Sequence, residues 1–260
     1  MTVILAISNQ KGGVAKTTTC MSLGAGLAER GKRVLMVDLD SQANLTLAAG
    51  FDGDALPWTI VDLLDAAELD LPEAERGAIY SVAMDGLDIL PADVRLASIE
   101  RQLYDRHNYE YLLGEILQKW HDVYDYILLD CPPSLGAVTL MALTTAQMVL
   151  VPVQCEFYAA RGLNRLLDIV SEVKKHTNPN LGYHLLATMY DRRNNICRTV
   201  LEQLRTHFSE ALFETVIGVD TRLRESPVTG EPVLLYAPRT RAAQQYRSLA
   251  EEVETLLEER

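Results

Sequence analysis

The sequence predicts an α/β fold in which a doubly wound, mostly parallel sheet carries helices on both faces. Short apolar runs alternate with segments of helical period along nearly the whole chain, which is typical of a parallel sheet with crossover helices. The runs are continuously apolar rather than alternating, as expected for strands that are buried on both faces. The chain has 260 residues and no internal repeat or evident linker, so one domain, residues 1–260, is expected.

The individual elements follow from these runs and from the helical segments between them. Strands are predicted at 2–8, 33–38, 87–92, 125–130, 148–154, 183–190 and 212–217. Helices are predicted at 16–30, about 95–119, 136–146, 159–176, 194–208 and 239–258. Gly31 is a suitable stop for the first helix, since glycine is common just past a helix end. Residues 50–86 are the least regular part, and we interpret them as a surface excursion that contains one helix, TIVDLLDAAEL.

Composition excludes several classes of protein. Hydrophobic residues make up 48% of the chain, yet no run approaches the ~20 apolar residues that span a bilayer. The start of the chain lacks the basic and small-residue features of a signal peptide, so a cytoplasmic protein is expected. Its four cysteines are widely spaced, which favours buried thiols over a metal site. The net charge of −12 argues against a surface that coats nucleic acid all over.

The stretch SNQKGGVAKTTT, residues 8–19, directly follows the first predicted strand and has the character of a phosphate-binding loop. In such a loop, backbone N–H groups surround an anion at the start of a helix. The stretch has the required parts: a preceding strand, two glycines, a lysine followed by threonines, and a helix start. The strict pattern G-x-x-x-x-G-K-[ST] nevertheless fails twice, at Gln10 and at Ala15. Alanine is acceptable at position 15 only where φ is negative. The residues predicted to bind nucleotide are Lys11, Gly12, Gly13, Val14, Ala15, Lys16, Thr17 and Thr18.

Three carboxylates follow strands at the same edge of the predicted sheet. Asp38 and Asp40 come at the end of the second strand, and Asp130 ends the strand YDYILLD. In such sheets ligands bind beyond the carboxyl ends of the strands. One such acid would orient Mg²⁺ and another could position an attacking water. The residues predicted for the metal site are Thr17, Asp38 and Asp130.

Six stretches, in this order and spacing, resemble the ParA/Soj partition ATPases of the deviant Walker A class. They are KGGVAKTTT, VDLDSQAN, YDYILLDCPPSLG, VPVQCEFYAARGL, TMYDRRNN and TRLRESPVTGEPVLLYAPRTRAAQQY, and they cover essentially the whole chain. The resemblance implies a P-loop fold, ATP with Mg²⁺ as cofactors, and a homodimer that sandwiches two nucleotides. It also implies a site in which Met189 and Pro227 contact the nucleotide.

The resemblance assigns roles to the charged residues of the loop. Lys11 matches the signature lysine that reaches the ATP of the partner subunit, Lys16 matches the lysine of the phosphate cradle, and Asp40 matches the carboxylate that positions water. A second departure from the family lies at Ile217-Gly218-Val219-Asp220, where relatives often have Ile-Pro-Arg-Asn near the adenine.

The same resemblance implies non-specific binding to double-stranded DNA and a ParB-like centromere-binding or adaptor protein as partner. Residues 190–247 contain nine arginines and no lysine, which gives a locally basic segment in an acidic chain. The predicted DNA contacts are Arg192, Arg193, Arg222, Arg224, Arg239 and Arg241. A nucleoid-associated ATPase that segregates plasmid or chromosomal DNA is therefore expected, with slow hydrolysis that the partner stimulates.

Related proteins leave several alternatives open. A ParA-like ATPase that positions a protein cargo, such as a chemoreceptor cluster or a compartment, would have the same nucleotide site and ATPase mechanism. A MinD-type membrane role is disfavoured, because the tail RSLAEEVETLLEER has an acidic polar face. Amidoligases share the loop, and a scaffold that binds nucleotide with negligible turnover is the non-enzymatic alternative.

Overall fold

The protein has an eight-stranded sheet with helices on both faces. The structure is a computed structural model that describes residues 2–65, 77–156 and 159–258, without the side chains of 159–162. The strands are β1 (Val3–Ile7), β2 (Val34–Asp38), β3 (Tyr80–Ser81), β4 (Leu87–Leu90), β5 (Tyr126–Asp130), β6 (Met148–Gln154), β7 (Gly182–Tyr190) and β8 (Leu212–Gly218). Their order across the sheet is β3-β4-β2-β5-β1-β6-β7-β8, and every pair is parallel except β3 with β4. The predicted fold class is confirmed.

Eleven α-helices connect these strands within the described residues. They are α1 (Lys16–Glu29), α2 (Asn44–Ala48), α3 (Ile60–Asp65), α4 (Leu96–Leu103), α5 (Tyr109–Leu117), α6 (Ala137–Thr145), α7 (Ala159–His176), α8 (Asn195–His207), α9 (Arg222–Glu225), α10 (Val233–Tyr236) and α11 (Arg241–Glu258). Gly31 follows α1 with φ of 82°, as its predicted role as a stop requires. None of the described helices has both the length and the apolar character needed to cross a bilayer.

Two apolar cores lie on opposite faces of the sheet, because successive strand residues point in opposite directions. In β1, Ile4 and Ala6 belong to the core under α3 to α8, whereas Leu5 and Ile7 belong to the core under α1 and α11. The apolar stripe of α11 is covered by α1, and a Cβ added at Gly26 would lie 3.0 Å from the Cβ of Ala250. Leu249 and Val253 of this helix are buried, so the apolar side of the acidic tail packs inside the protein.

Two sequence predictions need correction. The helix predicted at about 95–119 is two helices, α4 and α5, because the polar residues 104–108 interrupt it and Asn108 has a left-handed φ of 57°. The excursion 50–86 is less peripheral than predicted, since Ile60 and Leu64 of α3 are fully buried and β3 extends the sheet. Residues 66–69 of its predicted helix lie outside the described residues.

All four cysteines are buried free thiols, as predicted.

Candidate nucleotide-binding site

The loop between β1 and α1 lies at the carboxyl edge of the sheet, beside the central strand. Side chains from neighbouring strands fix its path: the Asn9 amide donates to the Pro152 carbonyl at 2.7 Å, and the Thr188 hydroxyl donates to the Val14 carbonyl at 3.1 Å. A Cβ added at Gly12 or Gly13 would meet no atom within 4 Å, so the glycines border open space on the loop. Together with the helix N-terminus, this space is suited to phosphate oxygens.

Ala15 has φ of 72° and ψ of 34°, in the left-handed region. The condition under which alanine is readily tolerated, a negative φ, is therefore not met. The backbone here is the one that the more usual glycine adopts freely, and Gly13 has a similar φ of 75°. The Ala15 carbonyl still accepts the hydrogen bond from Thr19 N at 2.9 Å, so α1 begins normally. The sequence departure is accommodated by strain and not by a different loop.

We expect Ala15→Gly to stabilise the nucleotide-free protein by about 1 kcal/mol, because the left-handed region disfavours a Cβ by roughly 1–2 kcal/mol and glycine loses part of this gain as chain entropy. In a chain of this size that corresponds to a melting temperature about 2–4 °C higher. Thermal unfolding followed by circular dichroism measures it. Ala49→Gly is the control, since Ala49 has φ of −83° and glycine there should lower stability. A melting temperature that falls with Ala15→Gly would contradict the strain.

The two lysines of the loop occupy different environments. Lys16 is buried, and its Nζ donates to the Lys11 carbonyl at 3.4 Å across the loop. Burial lowers the pKa of Lys16, an effect that nearby Asp130 opposes. The Nζ of Lys11 instead contacts the carboxylate of Glu156 and donates at 3.1 Å to Oε1 of Gln154, the last residue of β6. Lys16 thus belongs to the phosphate cradle, whereas Lys11 is bound outside it.

The three acids of the carboxyl edge have distinct partners. Asp38 and Asp130 are neighbours in register between β2 and β5, and both are buried. Burial raises the pKa of Asp38 to about 6, and burial together with the Asp38 charge raises the pKa of Asp130. Two carboxylates so close and so poorly solvated favour the presence of a cation.

The residues present suit Mg²⁺, although not in the full set predicted. The Thr17 hydroxyl donates to Asp130 Oδ2 at 2.7 Å, and the buried Asp130 Oδ1 has no hydrogen-bond partner among the described residues. Both oxygens of Asp38 are engaged: Oδ1 accepts from Asp40 N at 3.1 Å, and Oδ2 accepts from the N and Oγ1 of Thr46 at 2.9 and 2.8 Å. The described residues include no cluster of three His, Cys, Asp or Glu side chains that could hold a metal ion. Mg²⁺ commonly takes one or two protein oxygens and completes its shell with phosphates and water, so Thr17 and Asp130 are suited to hold it.

Asp40 lies at the mouth of the site. Its side chain is half-buried, and Oδ1 accepts a hydrogen bond from Gln42 N at 3.0 Å, which leaves Oδ2 without a described partner. Asp38 fixes the backbone of Asp40 through the bond to its N–H. Asp38 therefore holds the turn through its hydrogen bonds, whereas Asp40 keeps a carboxylate oxygen for the site.

A cavity of about 190 Å³ lies beside the loop and has a size suited to a nucleobase. Its lining residues come from the loop and α1, from the ends of β6, β7 and β8, and from α9: Ala15, Thr18, Gln154, Met189, Ile217, Gly218, Val219, Asp220, Leu223 and Arg224. Met189, which the resemblance assigns to the nucleotide, lines this cavity and has a left-handed φ of 52°. Pro227 is half-buried in the turn after α9 and is not among the lining residues.

The six predicted DNA-contacting arginines do not form one cluster. Arg192, Arg193 and Arg241 surround one depression near the end of β7. Arg222 pairs with Glu225 at 2.7 Å, and Arg224 lines the base cavity. Arg239 is exposed just before α11.

Sequence reasoning missed Glu156 and Gln154 as partners of Lys11. Both belong to the stretch VPVQCEF, which was interpreted only as a strand and a family motif. They meet Lys11 across more than 140 residues of chain, because β6 is the neighbour of β1 in the sheet. The available signal was Gln154, a polar residue that ends a central strand as Asp38 and Asp130 do, with Glu156 two residues further on.

Comparison with known proteins agrees with this geometry. A family model described as an AAA domain matches residues 2–183. The sporulation initiation inhibitor protein Soj of Bacillus subtilis is 43% identical over 253 residues, which cover 96% of this chain and 97% of Soj. The chromosome partitioning protein ParA of Caulobacter vibrioides NA1000 is 39% identical, with 96% and 93% covered. A Mycobacterium smegmatis structure described as cobyrinic acid a,c-diamide synthase, with bound ATP analog and magnesium, has a TM-score of 0.83 and 37% identity, with 96% and 93% covered.

The loop, the acids of the carboxyl edge and the doubly wound sheet define a P-loop ATPase that uses ATP with Mg²⁺. Within that class the chain belongs to the ParA/Soj family. The resemblance inferred from the six sequence stretches is thereby confirmed.

Proposed function

We propose that the protein is an ATP-dependent dimerising ATPase that binds DNA non-specifically and partitions DNA together with a ParB-like partner. The observation that carries the proposal is the position of Lys11. Lys16 already supplies the cation of the cradle, and the Lys11 ammonium lies outside it, bound to Gln154 and Glu156. A lysine at the mouth of the site is suited to contact a phosphate of ATP held by a facing subunit.

The residues divide the work of hydrolysis in this proposal. The loop N–H groups and Lys16 hold the phosphates, and Thr17 and Asp130 would hold Mg²⁺, which would supply charge neutralisation at the transferring phosphoryl group. Asp40 accepts a hydrogen bond from the attacking water and orients it toward the γ-phosphate. Lys11 of the facing subunit offsets the charge that develops there, and this contact joins nucleotide state to dimerisation.

DNA is favoured as cargo because Soj and ParA are 43% and 39% identical to this chain over nearly its full length, and ParA is described as a chromosome partitioning protein. The M. smegmatis neighbour suggests amidation of a corrinoid as a second candidate. The cavity of about 190 Å³ beside the loop is assigned to the base of ATP, so amidation of a corrinoid would need a second pocket that the sequence does not indicate. Partition is therefore the function that the site supports better.

We expect purified protein to hydrolyse ATP slowly, below about 0.1 s⁻¹ against a typical enzyme turnover near 10 s⁻¹. The reason is that Asp40 is half-exposed and that, among the described residues of one subunit, no arginine donates a hydrogen bond to the phosphate loop. Phosphate release is measured alone, with DNA, and with DNA plus a basic peptide from a ParB-type protein. The net charge of −12 suits a basic activator, and a rise with peptide and DNA together is expected. A fast rate that ignores both additions would contradict the proposed function.

A further inference from the structure

The carboxylate of Asp38 closes a loop of the backbone that contains Asp40. Its Oδ1 accepts a hydrogen bond from Asp40 N at 3.1 Å, and its Oδ2 accepts from the N and the Oγ1 of Thr46 at 2.9 and 2.8 Å. Within this loop the Asp40 carbonyl accepts from Ala43 N at 2.8 Å. The backbone of Asp40 is therefore held on both sides, and Thr46 holds the far end of the loop that carries it.

Thr46 also joins this loop to the neighbouring strand. Its side chain is fully buried, and the Oγ1 that donates to Asp38 accepts from Ala92 N at 3.0 Å. Ala92 comes shortly after the end of β4, and β4 is a neighbour of β2 in the sheet. One hydroxyl thus uses its proton on Asp38 and a lone pair on the backbone beyond β4, so both of its roles as donor and acceptor are filled.

The backbone beyond β4 is a fixed support for this hydroxyl. Ala92 is fully buried, and a Cβ added at Gly53 would overlap its carbonyl oxygen, so the segment after α2 lies directly against it. The adjacent Pro91 carbonyl accepts from Ile60 N, at the start of α3, at 2.8 Å. Among the described side-chain hydrogen bonds, those of the Thr46 hydroxyl are the ones that connect Asp38 to this support.

We propose that Thr46 is a positioning residue for ATP hydrolysis, whose hydroxyl fixes the Asp38 carboxylate and, through it, the place of Asp40. The proposal rests on the proposed function, in which Asp40 orients the attacking water, and adds the residue that holds Asp40 for this task. Thr46 makes no described hydrogen bond to the phosphate loop, so its effect falls on the hydrolytic step and not on ATP binding. Displacing a group that orients a reactant by about 1 Å can cost about 100-fold in rate.

Thr46→Val tests the proposal, because valine keeps the shape of threonine and removes the hydroxyl. Single-turnover phosphate release from saturating ATP measures the hydrolytic step, and titration with a fluorescent ATP analogue measures nucleotide affinity. We expect the rate to fall by about 10- to 100-fold while the affinity stays within about twofold of wild type. Thr46→Ser restores the hydroxyl and should return the rate to within about threefold of wild type.

The matched control is Thr59→Val. Thr59 is also fully buried, and its hydroxyl donates to the Asp93 carboxylate and accepts from Val61 N at 3.2 Å. The same kinds of hydrogen bond are lost in this variant, and they include none to Asp38. Both valine variants should unfold at a lower temperature than wild type, because each loses hydrogen bonds to buried groups. Only Thr46→Val should also hydrolyse ATP more slowly.

A combined variant shows whether Thr46 acts through Asp40. In an Asp40→Ala background, Thr46→Val should change the residual rate by less than about twofold, because the group that it positions is already absent. Circular dichroism confirms that each variant is folded. Thr46→Ala also lacks the hydroxyl and should show the same loss of rate, so the test does not depend on the folding of the valine variant.

Three results would overturn the proposal. If Thr46→Val and Thr46→Ala release phosphate as fast as Thr59→Val while Asp40→Ala loses turnover, the positioning role is rejected and the proposed function stands. An equal loss in Thr46→Val and Thr46→Ser would mean that packing, and not the hydroxyl, sets the rate. Undiminished release by Asp40→Ala would remove the catalytic role of Asp40 from the proposed function, and the role of Thr46 with it.

Discussion

Asp40→Ala should abolish ATP turnover while leaving ATP binding and the ATP-dependent dimer intact. The Asp40 side chain makes no described hydrogen bond to Lys16 or Thr17 of the phosphate cradle, and the one it does make accepts from Gln42 N at 3.0 Å. Removing a group that orients the attacking water lowers the rate by about 10²–10⁴-fold. Phosphate release measures the loss, and light scattering with ATP measures the dimer. Because hydrolysis no longer resets the dimer, the variant should also remain on DNA.

Two further variants separate the charge of Asp40 from the shape of its turn. Asp40→Asn keeps an oxygen for Gln42 N and should lose turnover like the alanine variant. Asp38→Ala removes three hydrogen bonds that hold Asp40 N and Thr46, so it should lower thermal stability, which Asp40→Asn leaves nearly unchanged. Undiminished phosphate release by Asp40→Ala would move the catalytic role to another residue.

The sequence predicted well what depends on local pattern and on the geometry of a parallel sheet. All seven predicted strands are present, and the strand-end rule correctly brings Asp38 and Asp130 side by side. Parallel strands end at one edge of a sheet, so a residue that ends an apolar run can be placed without knowing its neighbours. The phosphate loop was predictable for the same reason, since its strand and helix are contiguous in the chain.

Features that depend on backbone detail or on distant contacts were beyond such reasoning. The sequence shows only that residue 15 is alanine, whereas the φ of 72° at Ala15 is imposed by the path of the loop. The two-residue strand β3 is too short to produce a pattern. The contact between Gly218 and Arg241 joins positions 23 residues apart through the start of α11, and a glycine in a strand suggests close approach without naming what approaches.

Lys11→Ala should abolish the ATP-dependent dimer and leave ATP binding by the monomer within about threefold of wild type. The Nζ of Lys11 is bound to Gln154 and Glu156, whereas Lys16 bonds only to the Lys11 backbone carbonyl, so the loop N–H groups and Lys16 keep their places in the alanine variant. Each dimer loses two cross-subunit contacts to phosphate, and truncating such a buried charged contact costs about 2–5 kcal/mol. The dimer should therefore weaken by at least about 10³-fold, as measured by analytical ultracentrifugation with ATP and Mg²⁺.

Glu156→Gln tests the same role of Lys11 in the opposite direction, because it should strengthen the ATP-dependent dimer. Lys11 must leave Glu156 before it can reach across to another subunit, and the pair is only partly shielded, with side chains 31% and 39% exposed. A half-exposed pair contributes about 0.5–1 kcal/mol, so removing the charge of Glu156 should promote dimerisation by roughly two- to fivefold per subunit. An intact ATP-bound dimer of Lys11→Ala would reject the cross-subunit role of the lysine. A Glu156→Gln protein that dimerises no better than wild type would mean that the ion pair does not hold Lys11 back.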